Sequence, residues 1–247
     1  MTQTSTVAGP RAQWPKRLPV LTEEQQRIRA DFMAHWLEVL PRRYGLLEKF
    51  NHGYPLRSRA AGARTLELGA GLGAHLAFED LTGPGEYVAL EHQAPLAERL
   101  AAKYPRARVV TGDCQARQDF PDGHFDRVLA VHVLEHLPDL PRCLDEVRRL
   151  LRPGGLFAVV LPCEGGWAYA LARRISARRI FEKRYKQSYD WFVACEHINL
   201  PHEILEELNA RFETLHRSFF PLRLPVVNFN LVIGLTLRRP AEADVRS

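Results

Sequence analysis

A short apolar segment that runs into three closely spaced glycines restricts the fold of this chain more than any other feature. The segment reads LELGAGLGAHL and covers residues 66–76. Glycine adopts positive φ without a steric penalty, so such a turn is tight and lets a ligand approach the backbone. Gly69, Gly71 and Ala74 satisfy the G-x-G-x-x-G/A spacing, which several nucleotide-binding families share. The turn therefore predicts a ligand site after a buried strand and leaves the ligand open.

Short apolar segments alternate with helical segments through the middle of the chain. We predict five strands there, at RTLEL, EYVALE, ARVVT, FDRVLAV and LFAVVL. Helices are expected between them near residues 74–81, 94–104 and 140–151. Near-continuous apolar strands separated by helices are typical of a parallel sheet that is covered on both faces. Two last strands, near 213–220 and 229–237, predict an antiparallel pair at the sheet edge.

The rest of the chain divides into an arm, a helical cap and an insert. Residues 1–21 have no apolar core, so we expect a flexible N-terminal arm rather than a secretory signal. Residues 22–60 predict an N-terminal helical cap, because Thr22 can cap a helix whose apolar residues keep helical spacing. Residues 61–247 would then form the main domain, with a basic, aromatic insert at residues 163–200.

Composition limits the class of protein. The 247 residues are 46% hydrophobic and 26% charged, which is typical of one globular domain with additions. The sequence contains no run of about 18 apolar residues, so we expect no transmembrane helix. The four cysteines lie far apart and form no CxxC pair, which favours a reduced, cytoplasmic chain.

Four sequence blocks follow one another in a fixed order. They are LELGAGLG (66–73), ALEH (89–92), TGDCQARQDFPDGHFDRVLAVHVLEHLPD (111–139) and RRLLRPGGLFAVVLP (148–162). Together they resemble the class I S-adenosylmethionine-dependent methyltransferases, in the small-molecule, ubiquinone-biosynthesis-like group called methyltransferase type 11. The third block is the most specific, because a dinucleotide dehydrogenase has no reason to carry it. The resemblance implies a Rossmann-like, doubly wound α/β fold. Its seven-stranded sheet would be mostly parallel with an antiparallel last strand, and helices would cover both faces.

The resemblance also implies S-adenosyl-L-methionine as the cofactor and a set of residues that bind it. Glu67 would lie near the positively charged methionine end, where a carboxylate welcomes a cation and repels a pyrophosphate. Glu91 would accept from both ribose hydroxyls, since a carboxylate offers two acceptors to a vicinal diol. Asp113 would accept from the adenine amino group. The full implied set is Glu67, Gly69, Ala70, Gly71, Glu91, His92, Asp113, Cys114, Ala130 and Val131.

Histidines near the fourth strand raise the questions of a metal and of a base. His132-Val-Leu-Glu135-His136 matches the zinc-protease motif H-x-x-E-H. That motif needs one continuous helix, whereas His132 follows a predicted strand and no third ligand is evident, so we expect no metal. Methyl transfer to a hydroxyl benefits from a general base, which histidine can supply near neutral pH. We therefore predict His132 and His197 as catalytic candidates, with a cap or loop role as the alternative for His197.

The insert is basic and aromatic. Residues 165–189 carry seven arginines and lysines against a single acid, Glu182. We consider a lid that admits an anionic or amphiphilic substrate, a peripheral contact with a membrane or a lipid-linked glycan, and a solvated helix packed through its aromatics. Because the charge is local and the overall excess is only +5, we expect no nucleic-acid partner.

The sequence thus predicts a methyltransferase that acts on a small-molecule, glycan-linked or lipid-linked acceptor, with O-methylation favoured. One alternative is an NAD(P)-dependent oxidoreductase, against which Glu67 and the block at residues 111–139 argue. The other is a non-catalytic protein that keeps the cofactor-binding fold. The sequence indicates neither the acceptor nor the oligomeric state.

Overall fold

A computed structural model describes residues 12–43 and 45–241 of the chain. Seven strands form one sheet: β1 (Thr65–Leu68), β2 (Tyr87–Glu91), β3 (Arg108–Thr111), β4 (Phe125–Val131), β5 (Leu151–Pro162), β6 (Glu213–Phe220) and β7 (Val232–Arg238). Their order is β3-β2-β1-β4-β5-β7-β6. β7 is antiparallel to both of its neighbours, and the pairs from β3 to β5 are parallel. The predicted sheet, mostly parallel with an antiparallel last strand, is confirmed.

Helices cover both faces of this sheet. They are α1 (Glu23–Arg43), α2 (Gly45–Gly53), α3 (Ala94–Lys103), α4 (Leu140–Leu150), α5 (Trp167–Arg173), α6 (Arg179–Tyr185), α7 (Asp190–Glu196) and α8 (Pro201–Asn209). α4 and α8 bury their apolar residues with Leu66 and Leu68, whereas α3 packs on the face that carries Ala89 and Leu129. Within the described ranges, no helix combines the length and the apolar character needed to cross a bilayer.

The predicted helix near residues 74–81 is wrong. This segment contains only a 3₁₀ turn, Leu76–Phe78. Gly71 and Gly73 both have positive φ, so the backbone cannot enter a helix before His75. A turn then forms beyond Glu79, where the Asp80 carboxylate accepts a hydrogen bond from the Thr82 backbone at 2.9 Å. The glycines and this turn leave room for about one helical turn between them.

Part of the predicted flexible arm is docked on the domain. Residues 1–11 lie outside the described residues, but Trp14 packs against the main core. The backbone N–H of Lys16 donates to the carbonyl of Pro138 at 2.8 Å, and its Nζ donates to the Glu203 carboxylate at 2.6 Å. Trp14 and Lys16 therefore contact the domain, whereas residues 17–20 are exposed.

The N-terminal helix and the insert form one packed body, which we call the cap–insert unit (α1 with residues 163–200). Phe32 of α1 is 1% exposed. Its ring packs edge-on against four aromatic rings of the insert at centroid distances of 5.1–6.2 Å, namely those of Phe181, Tyr185, Tyr189 and Phe192. Asp31 accepts hydrogen bonds from Arg184 and Tyr185 beside this cluster. The aromatic residues of the insert thus serve mainly to hold it to α1.

Candidate functional site

The predicted cofactor residues gather at one edge of the sheet. β3, β2, β1 and β4 run parallel in register, so their carboxyl ends meet at the same edge. All of the predicted cofactor residues, Glu67 included, lie in the last two positions of a strand or just beyond it. Ligands of open, mostly parallel α/β sheets bind at this edge. The structure therefore brings the predicted set together, and its contact with a cofactor stays a prediction.

Gly69 and Gly71 in the glycine turn both have positive φ, but their surroundings differ. Gly69 has φ +61, and a Cβ there would lie 2.7 Å from Cγ2 of Val133, so no larger residue fits. Gly71 has φ +54, but a Cβ there would meet no atom within 4 Å. Open space therefore adjoins the backbone at Gly71, while Ala70 anchors the turn by donating its N–H to the Leu90 carbonyl at 3.1 Å.

Glu91 connects the glycine turn to the end of β2. One of its carboxylate oxygens accepts the backbone N–H of Gly71 at 2.8 Å, and the other accepts that of Gln93 at 2.8 Å. Glu91 is only 5% exposed, so its carboxylate is buried. The neighbouring His92 is exposed. The turn and the carboxylate predicted for the ribose therefore form one hydrogen-bonded unit.

Asp113 and Cys114 follow β3 along the same edge. The Asp113 carboxylate accepts the backbone N–H of Gln115 at 2.9 Å, which fixes its direction. Cys114 is half-buried and packs against the core beside Cys143. Its hydrogen bond with Cys143, together with burial, raises the pKa of the Cys143 thiol well above its ordinary value. All four cysteines are free thiols.

Glu67 differs from what the sequence suggests. It is 3% exposed, and its carboxyl accepts a hydrogen bond from the Tyr87 hydroxyl at 2.7 Å. Burial raises the pKa of Glu67 to about 8, and the Tyr87 hydrogen bond only partly opposes this. At neutral pH the group is then mostly the uncharged acid. The argument that its negative charge repels a phosphate therefore does not hold for this structure.

His132 directly follows β4 with φ +54. A non-glycine residue with positive φ stores about 1–3 kcal/mol of strain and is found mainly where function demands it. Its backbone N–H donates to Val160 at 3.0 Å, and its Nδ1 lies 3.2 Å from Oε1 of Glu135. The carboxylate thus orients the ring and leaves Nε2 available at the sheet edge.

His197 lies at the end of α7 and faces a second carboxylate. Its Nδ1 lies 2.8 Å from Oε2 of Glu164, whose other oxygen accepts from Arg173 at 2.5 Å. Burial would raise the pKa of Glu164, but the hydrogen bond from His197 and the charges of His197 and Arg173 outweigh it and lower the pKa. The two predicted catalytic histidines therefore share one arrangement, in which a carboxylate orients Nδ1.

A third histidine joins these two groups into one cluster. His136 hydrogen-bonds through Nδ1 to the Glu196 carbonyl at 2.5 Å, and its ring centroid lies 5.3 Å from that of His197. One potential ligand atom each from Glu135, His136 and His197 lie within 4.8 Å of one another. No third ligand for the H-x-x-E-H motif was evident from the sequence. In the structure His197 approaches Glu135 and His136, whereas His132 is not part of this group of three.

Charges in this cluster follow from burial. Burial would raise the pKa of the Glu135 carboxyl, but the His132 hydrogen bond and the neighbouring imidazoles outweigh it and lower the pKa to about 2. Burial lowers the pKa of His136, although Glu135 and Glu196 oppose this. Burial thus disfavours charge on His136, while the hydrogen bond from His132 favours the ionised form of Glu135.

Comparison with known proteins matches residues 66–159 to a family model described as a methyltransferase domain. A relative from Mycobacterium ulcerans, named as a probable phthiotriol/phenolphthiotriol dimycocerosates methyltransferase 2, is 34% identical over 140 residues. These residues are 52% of this chain and 54% of that protein. A 23S rRNA (guanine(748)-N(1))-methyltransferase from Streptomyces fradiae is 31% identical over 145 residues, covering 52% of this chain and 48% of the relative. The chain spans about half the length of these curated relatives.

Solved structures show the same fold. The crystal structure of a 4+2 cyclase, SpnF, superposes with a TM-score of 0.62 at 17% identity, covering 92% of this chain and 99% of the other. A geranyl diphosphate methyltransferase in complex with GPP and sinefungin superposes with a TM-score of 0.57 at 14% identity, covering 80% and 78%. At such identities the likeness concerns the fold alone. The family model, the curated relatives and the shared fold together identify residues 66–159 as a class I S-adenosylmethionine-dependent methyltransferase domain.

Proposed function

We propose that this chain binds S-adenosylmethionine at the carboxyl edge of the sheet and transfers its methyl group to an oxygen of a small or lipid-linked acceptor. The observation that carries the proposal is the hydrogen-bonded unit of Gly71 and Glu91. This unit places a buried carboxylate and open backbone beside the ends of β1 and β2. The family match favours methyl transfer over the nicotinamide-dependent alternative.

The residues present suit the cofactor. Glu91 and Asp113 offer carboxylate oxygens where ribose hydroxyls and an adenine amino group need acceptors. The free space beside Gly71 admits a ligand against the backbone. A cation beside the Glu67 carboxyl would lower its pKa and favour the ionised form, since an opposite charge stabilises the carboxylate. These groups would hold the ribose, the adenine and the methionine end respectively.

When bound, the cofactor supplies an activated methyl group: its carbon–sulfur bond breaks as the acceptor–carbon bond forms, and the electron pair stays on sulfur. The chain has then to align the acceptor and take up its proton. His132 is placed for the second task, because Glu135 holds Nδ1 at 3.2 Å and leaves Nε2 free to accept the hydroxyl proton. His197, oriented by Glu164, is the alternative base.

The exposed side of the insert fits an amphiphilic acceptor. Trp167, Leu171 and Ile175 are 55%, 52% and 64% exposed and follow one another at four-residue spacing. Arg174 and Arg179 are exposed beside them, whereas Arg173 pairs with Glu164. Apolar residues flanked by free arginines are typical of helices that lie on anionic membranes. Curated relatives named as a dimycocerosates methyltransferase and as a sterol 24-C-methyltransferase support a lipid acceptor, and the second name specifies methylation on carbon.

Cofactor binding is tested by calorimetry with S-adenosylmethionine, its demethylated product and NAD. We expect one site per chain for the first two ligands and none for NAD. Binding of NAD alone would refute the proposal. Binding of the methyl donor without turnover on any acceptor class would favour a non-catalytic protein. A third outcome is that the chain binds the cofactor but catalyses a different reaction. The cyclase that shares this fold is named for such a different reaction.

The acceptor class is tested with extracts of lipids, small molecules and RNA as substrates for a radiolabelled methyl donor. We expect label in the lipid fraction, attached to oxygen and not to nitrogen when the labelled product is identified by mass spectrometry. Label in RNA would contradict the expectation of no nucleic-acid partner, which one rRNA-methyltransferase relative makes worth testing.

Membrane contact is tested by sedimentation with vesicles that contain phosphatidylserine. Replacing Arg174, Arg179 and Lys183 by glutamine should weaken binding about 100-fold, at about 1 kcal/mol for each basic residue near an anionic surface. A matched variant with Arg108, Arg117 and Arg217 replaced, at other parts of the surface, should bind normally. Equal binding by both variants would refute the contact.

A further inference from the structure

Glu135, His136 and His197 come together from two distant parts of the chain. Glu135 and His136 lie in the 3₁₀ turn Leu134–His136 that follows β4, and His197 ends α7. One potential ligand atom of each residue lies within 4.8 Å of the other two. The proposed role of His132 uses Glu135 but does not require His136 and His197 to lie beside it.

Both imidazoles are held so that one nitrogen is free. Nδ1 of His136 is engaged by the Glu196 carbonyl at 2.5 Å, and Nδ1 of His197 by the Glu164 carboxylate at 2.8 Å. The remaining nitrogen of each ring is Nε2, and that of His136 lies 3.9 Å from Oε1 of Glu135. Histidines that bind metals are oriented in this way, by a carbonyl or carboxylate on the second ring nitrogen.

The carboxylate provides an independent observation. Glu135 is 1% exposed, and Oε1 is engaged by His132. Its Oε2 is buried and has no hydrogen-bond partner among the residues that the structure describes. A buried carboxylate oxygen without a partner is costly, and a cation in contact with it removes that cost.

We propose that Glu135, His136 and His197 bind one divalent transition-metal ion, best matched by Zn²⁺. Two imidazole nitrogens and one carboxylate oxygen form a ligand set that Zn²⁺ and similar first-row ions accept. Mg²⁺ and Ca²⁺ prefer oxygen ligands throughout. Because zinc ligands lie about 2.0–2.2 Å from the ion, the three side chains close inward by on the order of 1 Å on binding.

Three protein ligands leave a coordination position open, which an acceptor oxygen can occupy. The contact of the ion with an acceptor oxygen rests on the proposed methyl transfer, whereas binding of the ion does not. With Nε2 on the ion, His197 no longer serves as a base, and His132 is left as the base. The ion thus gives the H-x-x-E-H motif a role that differs from its role in proteases, because His132 is not a ligand.

Calorimetry on untagged, chelator-treated protein tests the site directly. We expect one Zn²⁺ per chain, tighter than Mn²⁺ and with no detectable Mg²⁺ binding. Glu135→Gln, His136→Gln and His197→Gln should each abolish it, and Glu164→Gln should weaken it about 10–100-fold as the loss of an orienting partner does. His124→Gln is the matched control, because His124 also faces a carboxylate, Glu86 at 2.9 Å, but lies outside the cluster.

A second measurement needs no variant and so does not depend on their folding. Diethylpyrocarbonate modifies free imidazole nitrogens, and mass spectrometry locates the products. Zn²⁺ should protect His136 and His197 at least about tenfold and leave His124 unprotected, since coordination occupies the reactive nitrogen. Wild-type protein that binds no Zn²⁺ at millimolar concentration, or that binds it without protecting both histidines, overturns the site. Cofactor binding in the same samples reports on the proposed function separately.

Discussion

Replacement of Glu91 by glutamine probes the link between the glycine turn and β2. Each carboxylate oxygen accepts one backbone N–H at 2.8 Å, from Gly71 and from Gln93. A glutamine amide has one oxygen and one NH₂ group, so one of the two N–H groups then faces a donor in either orientation. The residue is only 5% exposed, so water does not readily replace the lost acceptor.

The expected effect follows from these two contacts. Loss of one hydrogen bond to a charged group costs about 1.5–3 kcal/mol. At about 1.4 kcal/mol for each tenfold change, the dissociation constant of the demethylated cofactor should rise about 10–150-fold, because the turn is no longer held for the ligand. The melting temperature should fall by about 3–12 °C, given about 2–4 °C per kcal/mol for a chain of this size.

Isothermal titration with the demethylated cofactor and differential scanning calorimetry measure the two effects. Glu86→Gln is the matched control, because Glu86 directly precedes β2 at its opposite end and contacts only partly exposed partners there. It should change the dissociation constant less than about twofold, as exposed ion pairs contribute little. If Glu91→Gln binds the cofactor within twofold of the wild type, the reasoning about the turn is refuted.

Three further changes test other parts of the structure. His132→Gln should lower kcat by about 10²–10⁴-fold and leave the dissociation constant of the demethylated cofactor unchanged. A parallel loss of cofactor binding would argue against His132 as the general base. The folded-state pKa of Glu67, about 8, exceeds its ordinary 4.5, so the wild type should lose stability as pH rises from about 4.5 through 8. Glu67→Gln should remove that fall in denaturant unfolding, and an unchanged pH profile would contradict the pKa. Gly73→Ala should destabilise by about 1–3 kcal/mol, because φ is +75 and its Cβ would lie 2.5 Å from the Tyr104 ring. Gly83→Ala, which meets no atom within 4 Å, should change stability by less than about 0.5 kcal/mol.

The positions of the strands along the chain were predictable because each β-strand is a short apolar run between turn residues. FDRVLAV, for example, coincides with β4. The expected helix near 74–81 failed because propensity counts local residues, whereas positive φ at Gly71 and Gly73 and the turn at Asp80 limit its length. Helix propensity alone does not reveal these limits on helix length, because they depend on the path of the backbone.

Long-range contacts account for what the sequence did not reveal at the site. His197 is far from Glu135 in the chain, and only the return of the insert brings them together. The protonation of Glu67 depends on burial against Tyr87, which the strand pattern does not specify. The set that the resemblance implies, Glu91 included, does lie together in the fold, because the carboxyl ends of parallel strands meet at one edge. Its contact with a cofactor stays a prediction.

A buried arginine was also missed. Arg127 in β4 is 2% exposed and donates to the Ser58 hydroxyl, the Pro55 carbonyl and the Glu79 carboxylate at 2.7–2.8 Å. An arginine within an apolar strand was the available signal, since charged residues are rarely buried without partners. Through these bonds the segment after α2 is held to the sheet.

The packing of Phe32 among the aromatic rings of the insert limits how these two segments can be exchanged between relatives. Two segments from opposite halves of the chain interlock there, so neither can be exchanged alone. A chimera that received only the insert of a relative would meet the wrong side chain from α1, and would lose both packing and the orientation of α7. Exchange of the insert between relatives would therefore require α1 to be exchanged with it.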